Sequence, residues 1–167
     1  MINTIVMRNI MIIILVLGAA CMWSCSKDLP DAGGTSAKAF ANEWWVTDNG
    51  ADVRKITTYN TSSNPDSIWI LMTQDMDTTT LRGDTFQIKV KVDPANLTFS
   101  VQNSNNYMPY SIKSVNITNG KIFPNAGTSQ TGTKTDSIYL EAEYDNAPGV
   151  KHILAGVART RWDEDDY

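Results

Sequence analysis

The chain has 167 residues, with 14 Lys+Arg, 18 Asp+Glu and one His, and its formal net charge at pH 7 is −4. This acidic balance excludes the basic stripe that nucleic-acid binding requires, so we expect no nucleic-acid partner. A chain of this length forms one domain and buries roughly two-thirds of its unfolded surface, which is enough for a core without disulfide bonds.

The first 24 residues have the composition of an export signal. Arg8 is the only charged residue before Lys27, residues 10–17 are all apolar, and the small residues of "GAA" follow them. The apolar run is shorter than the about 20 residues that a transmembrane helix needs, so we predict a lipoprotein signal peptide over residues 1–24. Its removal takes away one positive charge and leaves 13 Lys+Arg against 18 Asp+Glu, a net charge of −5.

Both cysteines of the chain lie at the end of this signal. Each follows a small residue, Ala20 before Cys21 and Ser24 before Cys25, which is the pattern of a bacterial lipoprotein that is cleaved and lipidated at a cysteine. Lipidation at Cys21 would leave Cys25 as a lone thiol outside the cytoplasm, whereas lipidation at Cys25 leaves no free thiol. We therefore predict Cys25 as the lipid attachment site, with Cys21 as the alternative, and residues 25–37 as a flexible polar tether.

Residues 38–167 show strand patterns and no amphipathic helix. In "TFQIKVKVD" apolar residues alternate with polar ones, and turn sequences such as "DPAN" and "DNAPG" separate similar segments. The short "DPAN" predicts a hairpin, and a slip in the apolar phase between Ile112 and Val115 predicts a β-bulge. The predicted strands cover residues 40–47, 53–59, 67–73, 85–93, 97–102, 111–122, 136–144 and 151–160.

Eight short antiparallel strands predict an all-β domain over residues 38–167. We predict an eight-stranded antiparallel barrel, with a β-sandwich as the alternative, because a closed barrel has no open edge strand to protect. The interior of a barrel of this size is either filled by side chains or holds one small ligand.

The domain offers few residues for catalysis. It has a single histidine, His152, no Gly-x-Ser-x-Gly sequence, and no free cysteine once Cys25 is lipidated. Glu141 and Glu143 share the polar face of their strand and are expected to be solvated, and the acidic residues 163–166 lack the spacing of a calcium loop. We therefore predict no catalytic residue, no metal site and no cofactor, and the sequence favours a protein that is not an enzyme.

Large aromatic side chains are the remaining candidates for ligand binding. Adjacent Trp44 and Trp45 face opposite sides of their strand, and the apolar phase places Trp44 inside the barrel. Trp45 then lies outside, where we expect a loop or the tether to cover it unless it is a binding platform. A sugar stacked on Trp45 or Trp69 is the alternative to an apolar ligand in the interior. The candidate ligand-binding residues are Trp44, Trp69, Phe86, Phe99 and Tyr144.

Three short sequences match a candidate modification motif. Asp followed by Ser or Thr, and then by an apolar residue or Thr, resembles the O-glycosylation acceptor of Bacteroides secreted proteins. The alternative at the two "DSI" sequences is a turn, in which Asp bonds to the neighbouring backbone before a strand begins. The candidate acceptors are Ser67, Thr78 and Ser137.

Several segments, in their order along residues 42–167, resemble one family. They are "NEWWV", "TYN", "DSIWI", "VDPANLTFSV", "VNITNGKI", "DSIYLEAEYD" and "GVARTRWDEDDY". The family is a Bacteroidetes lipoprotein family known as "lipid-binding putative hydrolase", with a lipocalin-like barrel. The resemblance implies a barrel anchored to the outer membrane, on its periplasmic or cell-surface side, that binds an apolar or lipid-like ligand. A glycan-binding accessory lipoprotein, and a structural or interaction lipoprotein with a filled core, are the alternatives.

Overall fold

The computed structural model describes residues 34–51, 53–73, 85–108 and 111–167, together with Val6, Asn9, Ile12 and Ile13. The chain divides into Met1–Gly33 and the compact unit Gly34–Tyr167. Within the described residues, no helix is long and apolar enough to cross a membrane. The described residues form two short 3₁₀ helices, Lys38–Phe40 and Asp163–Asp165, and eight strands: β1 Asn42–Asp48, β2 Val53–Asn60, β3 Ser67–Thr73, β4 Phe86–Asp93, β5 Thr98–Asn105, β6 Ser114–Thr128, β7 Lys134–Tyr144 and β8 Lys151–Ala158.

These strands form one closed antiparallel barrel, in which each strand pairs with its neighbours in the chain and β8 pairs with β1. The closing pair aligns Trp44 with Ala158 and Asp48 with Leu154. Closure satisfies the backbone groups that an open edge would expose, which is the reason that the sequence favoured a barrel over a sandwich. The prediction of an all-β, eight-stranded antiparallel barrel is confirmed.

Apolar side chains from every strand fill the barrel interior. Along most strands, buried residues alternate with exposed or half-exposed ones, as the period of two in the sequence predicts. Each fully buried Leu, Ile or Phe contributes about 1.5–3 kcal/mol relative to an exposed one. The buried hydrophobic residues among those described are Ala37, Phe40, Trp44, Val46, Ile56, Ile68, Ile70, Met72, Phe86, Ile88, Val90, Phe99, Ile112, Val115, Ile117, Ile122, Ile138, Leu140, Ala142, Tyr144, Leu154 and Ala158.

Several predicted strand ends lie just outside the observed strands, and Phe40 and Leu97 are two of them. Phe40 lies in the 3₁₀ helix before β1, where its buried ring meets the ring of Phe99 edge-on at a centroid distance of 6.2 Å. Leu97 lies in the turn before β5, with a φ of 54°. Both side chains pack toward the core. An alternating pattern reports burial, so it does not distinguish a buried residue of a strand from a buried residue just before it.

The predicted bulge between Ile112 and Val115 is wrong. Ile112 is buried but precedes β6, and β6 shifts its register against β7 between positions 118 and 121 and again between positions 123 and 127. Asn119 and Asn125, which lie within these two shifts, both have φ near +50°. Asn tolerates this left-handed conformation better than most residues, so each bulge forms at an asparagine rather than at a change of apolar phase.

The end of the predicted tether is part of the folded unit. Ala37 is fully buried, and the Ser36 hydroxyl donates a hydrogen bond of 2.8 Å to the carbonyl oxygen of Pro65 in the turn between β2 and β3. The predicted lipid attachment sites, Cys25 and Cys21, lie outside the described residues. The same holds for the first part of the tether, residues 25–33, and for the signal peptide except Val6, Asn9, Ile12 and Ile13.

The C-terminal segment, residues 159–167, folds back onto the turn between β6 and β7. The buried carboxylate of Asp165 accepts hydrogen bonds from the Thr160 hydroxyl at 2.7 Å and from the backbone N–H of Thr131 at 2.8 Å. These bonds, the one from Thr160 foremost, lower the pKa of Asp165 to about 2. The carboxylate is therefore ionised at neutral pH and serves as a hydrogen-bond acceptor that fixes the segment.

This segment also covers the outward-facing Trp45. The indole N–H donates to Asp166 at 3.2 Å, and the ring meets Tyr167 edge-on at a centroid distance of 5.7 Å. Arg159 joins the segment to β1 through an ion pair with Glu43 at 2.9 Å and a second with Asp166. Trp45 is thus covered by a segment of its own chain, one of the two possibilities that its outward phase left open.

Candidate functional site

The predicted ligand-binding residues do not form one site. Trp44, Phe86, Phe99 and Tyr144 are buried among the side chains that fill the barrel, and the rings of Phe86 and Tyr144 lie 5.8 Å apart. A ligand in contact with these four would have to displace core side chains. Trp69 is separated from them, because it points to the outer wall of β3.

Trp69 is held in a cluster of side chains on that outer wall. Its ring stacks on Tyr59 at a centroid distance of 6.5 Å and meets Tyr107 edge-on at 5.0 Å. The Lys89 ammonium lies 5.0 Å from the centre of the same ring, and Gln87 donates a hydrogen bond of 2.6 Å to the Tyr59 hydroxyl. Such cation–π and aromatic contacts each contribute about 0.5–1.5 kcal/mol, so the ring is engaged within its own wall.

A groove of about 880 Å³ lies on the wall formed by β4, β5, β6 and β7. Strands β4 and β5 pair at three positions only, from Asp93 with Thr98 to Lys91 with Ser100. On the other side of β5, the pairing with β6 shifts register on both sides of Val101. Interrupted pairing on both sides of one strand bends the sheet, and the wall is concave at this point.

Two residues of β6 allow the strands to come together beneath the groove. Asn119 adopts a left-handed φ of 52°, which places two residues of β6 opposite one residue of β5 and of β7. Gly120 follows it, directly opposite Phe99. A Cβ at Gly120 would lie 2.4 Å from the carbonyl oxygen of Phe99 and 2.5 Å from its ring, so only glycine fits here.

The groove is lined by apolar and cationic groups side by side. Buried Phe99 and Ile117 lie along it, and Phe123, which is 40% exposed, stands at its edge. Lys91 and Lys121 also line it and outnumber the one carboxylate among the lining residues, that of Asp93. The Lys121 ammonium lies 5.3 Å from the centre of the Phe123 ring. An apolar surface beside two cations suits a ligand that carries both a hydrocarbon part and an anionic group.

A family of known proteins matches this chain over most of its length. The model of the family described as "Lipid-binding putative hydrolase" matches residues 29–163. The chain belongs to this family. A search of curated proteins finds no match. The family match includes every strand of the barrel and all of the residues that line the groove.

Hydrolysis, the second half of the family description, would need a general base with a nucleophile in reach. His152 is the single histidine of the chain, and its Nδ1 lies 2.9 Å from Asp48 Oδ2 while its ring stacks on Tyr144 at 4.4 Å. These contacts fix the imidazole. Among the residues that the structure describes, no hydroxyl or thiol is hydrogen-bonded to it, and it does not line the groove.

The two glutamates of β7 are also held by neighbouring groups of the chain. The Lys151 ammonium lies 2.8 Å from Glu141 Oε2, and the Tyr139 hydroxyl donates to Oε1 at 2.9 Å. These contacts, with that of Lys151 the larger, lower the pKa of Glu141 to about 2, and the Glu141 carboxylate raises the pKa of Tyr139. Glu143 accepts a hydrogen bond from the backbone N–H of Gly149. Glu141 is therefore ionised at neutral pH and has no proton to donate to a leaving group.

The remaining predicted sites have different surroundings. Ser67 is buried, the Ser137 hydroxyl donates a hydrogen bond of 2.8 Å to the carbonyl oxygen of Gly156, and Thr78 lies outside the described residues. Glycosylation of Ser67 would therefore require the barrel wall to open, whereas glycosylation of the half-buried Ser137 would remove its hydrogen bond to Gly156. In the part of the chain that the structure describes, no group of three or more His, Cys, Asp or Glu side chains is arranged to hold a metal ion.

Sequence reasoning named Phe99 but missed the other residues of the groove. The signal that was available is a set of three asparagines near the bulges, at positions 103, 119 and 125, each with φ near +50°. Asparagine followed by glycine inside a strand, as at 119 and 120, indicates a bulge or a close backbone approach. The pattern marks where a wall bends, but not which neighbouring side chains line the bend.

Proposed function

We propose that this family member is an exported protein, anchored to the outer membrane through Cys25, that binds an amphiphilic lipid-like ligand without turnover. The groove on the β4–β7 wall is the observation that carries the proposal. Its volume is within the range of about 300–1,000 Å³ typical of ligand sites. The family description and the barrel fold support the same class of ligand.

The outer groove suits the ligand better than the barrel interior. Interior positions are taken by large side chains such as Trp44 and Phe86, and removing them would cost several kcal/mol of core stability each. The groove asks for no such displacement. In it, an anionic group of the ligand would meet Lys91 and Lys121, and its hydrocarbon part would cover Phe123 and the exposed edge of the buried floor.

Binding without turnover follows from the chemistry at hand. General acid–base help from one histidine supplies about 10²- to 10⁴-fold, whereas enzymes accelerate reactions by 10⁶-fold or more. His152 is bonded to Asp48, and Glu141 is ion-paired with Lys151. A lipid ester held in the groove would therefore leave unchanged.

The ligand prediction is tested by native mass spectrometry of the protein purified from its own host. We expect a retained lipid-like mass, and we expect Phe123→Asp and Lys121→Glu to lower the fraction of protein that carries it at least about tenfold. Loss of the contact of one aromatic side chain costs about 1.5–3 kcal/mol, which corresponds to roughly 10- to 150-fold in affinity.

Val150→Asp is the matched control, because Val150 is an exposed apolar residue outside the groove. It should retain the ligand at the level of the unmodified protein. Equal retention in all of these variants would contradict the groove as the site. If the unmodified protein carried hydrolysed lipid and the His152→Ala variant carried intact lipid, binding without turnover would be contradicted.

The anchor has its own test, because Cys25 and Cys21 offer two attachment points. We expect Cys25→Ala to abolish acylation and to release the protein from the outer-membrane fraction, since the predicted acceptor would be lost. Cys21→Ala should leave acylation and fractionation unchanged. Mass spectrometry that finds acyl chains on Cys21 in the unmodified protein would reverse the assignment.

A further inference from the structure

Two aromatic side chains project into solvent near the C-terminus. Trp162 is 65% exposed and Tyr167 is 58% exposed, whereas Trp44 and Phe86 are fully buried. Exposing an indole ring in water has a free-energy cost, and Trp and Tyr are enriched where one end of the side chain meets hydrocarbon and the other meets water. Such rings are typical of surfaces that meet a partner.

Both residues belong to a segment that is held at the end of the barrel where β1 starts, with Tyr167 beside Trp45 on the outer face of β1. The backbone N–H of Arg159 donates to the Glu43 carbonyl at 2.8 Å, at the start of β1. Asp165 is buried and bonded to Thr131 in the β6–β7 turn, and Asp166 is ion-paired with Arg159. The segment therefore presents Trp162 and Tyr167 in fixed positions rather than on a free tail.

The chain enters the barrel at the same end. The strand β1 starts here, and Ser36, two residues after Gly34, bonds to Pro65 in the β2–β3 turn. Eight residues separate Gly34 from Cys25, and a fully extended chain advances at most about 3.6 Å per residue. The nine steps from Cys25 to Gly34 therefore span no more than about 32 Å.

We infer that this end of the barrel, through Trp162 and Tyr167, docks in the headgroup region of the bilayer that carries the anchor. The inference rests on the lipid anchor proposed above. The anchor makes docking an intramolecular event at a high effective concentration, so two interfacial aromatic rings suffice where they would bind weakly alone. Asp163 and Glu164, both exposed, lie between Trp162 and Tyr167 in the sequence and outnumber the exposed Arg161, so the segment matches a zwitterionic surface better than an anionic one.

Docking in this orientation places one end of the groove next to the membrane. The turn between β4 and β5 lies at the docked end, because β4 ends there at Asp93 and β5 begins there at Thr98. Both residues line the groove. One end of the groove then lies next to the headgroups, and a lipid would pass between bilayer and groove without crossing open water.

The test is tryptophan quenching in the full lipidated protein, reconstituted in phosphatidylcholine vesicles whose acyl chains carry bromine close to the headgroup. We expect quenching in the unmodified protein that is lost in Trp162→Phe, since Trp44 lies within the barrel, Trp45 is covered by Asp166 and Tyr167, and Trp69 lies on the β3 wall. Replacing 30% of the lipid by phosphatidylglycerol should reduce the quenching, because of the like charge of Asp163 and Glu164.

The matched control places a tryptophan at the opposite end. Tyr107 is 61% exposed beyond the end of β5, so Tyr107→Trp in the Trp162→Phe background should show no added quenching. Mass spectrometry of the same sample reports acylation of Cys25. Acylated protein without Trp162 quenching would overturn the docking and leave the anchor intact, whereas protein without acyl chains would overturn both. Equal quenching at Tyr107→Trp would also overturn the docking.

Discussion

Replacing Trp44 by alanine is expected to lower the free energy of unfolding by about 3–5 kcal/mol, as large-to-small changes of buried aromatic residues do. Trp44 is fully buried, and its indole N–H donates a hydrogen bond of 2.7 Å to the Thr58 hydroxyl, which itself donates to the Phe40 carbonyl. The substitution leaves a cavity in the barrel interior and removes one partner of a buried hydroxyl. Equilibrium unfolding in urea, monitored by far-ultraviolet circular dichroism, measures the change.

Trp162→Ala is the control, because it removes the same side chain from a position that is 65% exposed. Away from a membrane it should change the free energy of unfolding by no more than about 0.5 kcal/mol. Equal effects of the two substitutions would mean that the barrel core does not depend on the ring of Trp44, and the account of a filled interior given above would fail.

Gly156→Ala is expected to cost at least about 3 kcal/mol, although it adds a single methyl group. Gly156 of β8 lies opposite Val46 of β1, where the barrel closes. A Cβ would lie 1.9 Å from the carbonyl oxygen of Trp45 and 2.6 Å from the Cα of Val46. Both are backbone atoms, so no side-chain rotation relieves the overlap, and the β1–β8 pair must separate.

The neighbouring substitution Ala155→Val provides the comparison. Ala155 belongs to the same strand pair, opposite Thr47, but its side chain points to the other side of the sheet from Gly156. Added volume on the outer face should cost less than about 1 kcal/mol. We expect thermal unfolding to show a loss of several degrees or more for Gly156→Ala and a much smaller one for Ala155→Val. A Gly156→Ala protein as stable as the unmodified chain would contradict the close approach of β1 and β8.

The Gly156→Ala prediction also bears on function, because closure of the barrel supports the wall that carries the groove. The groove depends on Gly120 beside Phe99 in the way that closure depends on Gly156 beside β1: a short distance between two backbones that admits no Cβ. Loss of closure would release the β4–β7 wall from its fixed curvature. Gly156→Ala should therefore lose the lipid-like ligand as well. In this variant the loss of ligand accompanies a loss of stability in the unfolding curve, which the groove variants should not show.

Local sequence determined the number of strands and the facing of their residues. Alternation in β4 and β7 correctly placed Phe86, Ile88, Ile138 and Leu140 inside. Alternation in β1 correctly placed Trp44 and Trp45 on opposite faces. Turn residues such as "DPAN" separated the strands. These features follow from the period of two and from turn chemistry, which act over a few residues and are visible in one chain segment at a time.

The groove and the covering of Trp45 were decided by tertiary structure alone. The groove needs the register of β4, β5, β6 and β7 together, and a one-residue bulge at Asn119 changes which side chains meet across them. Trp45 is covered by residues more than one hundred positions away, through Asp166 and Tyr167. Long-range pairing of this kind depends on the volumes and backbone distances of segments that meet only when the barrel closes, so no local pattern encodes it.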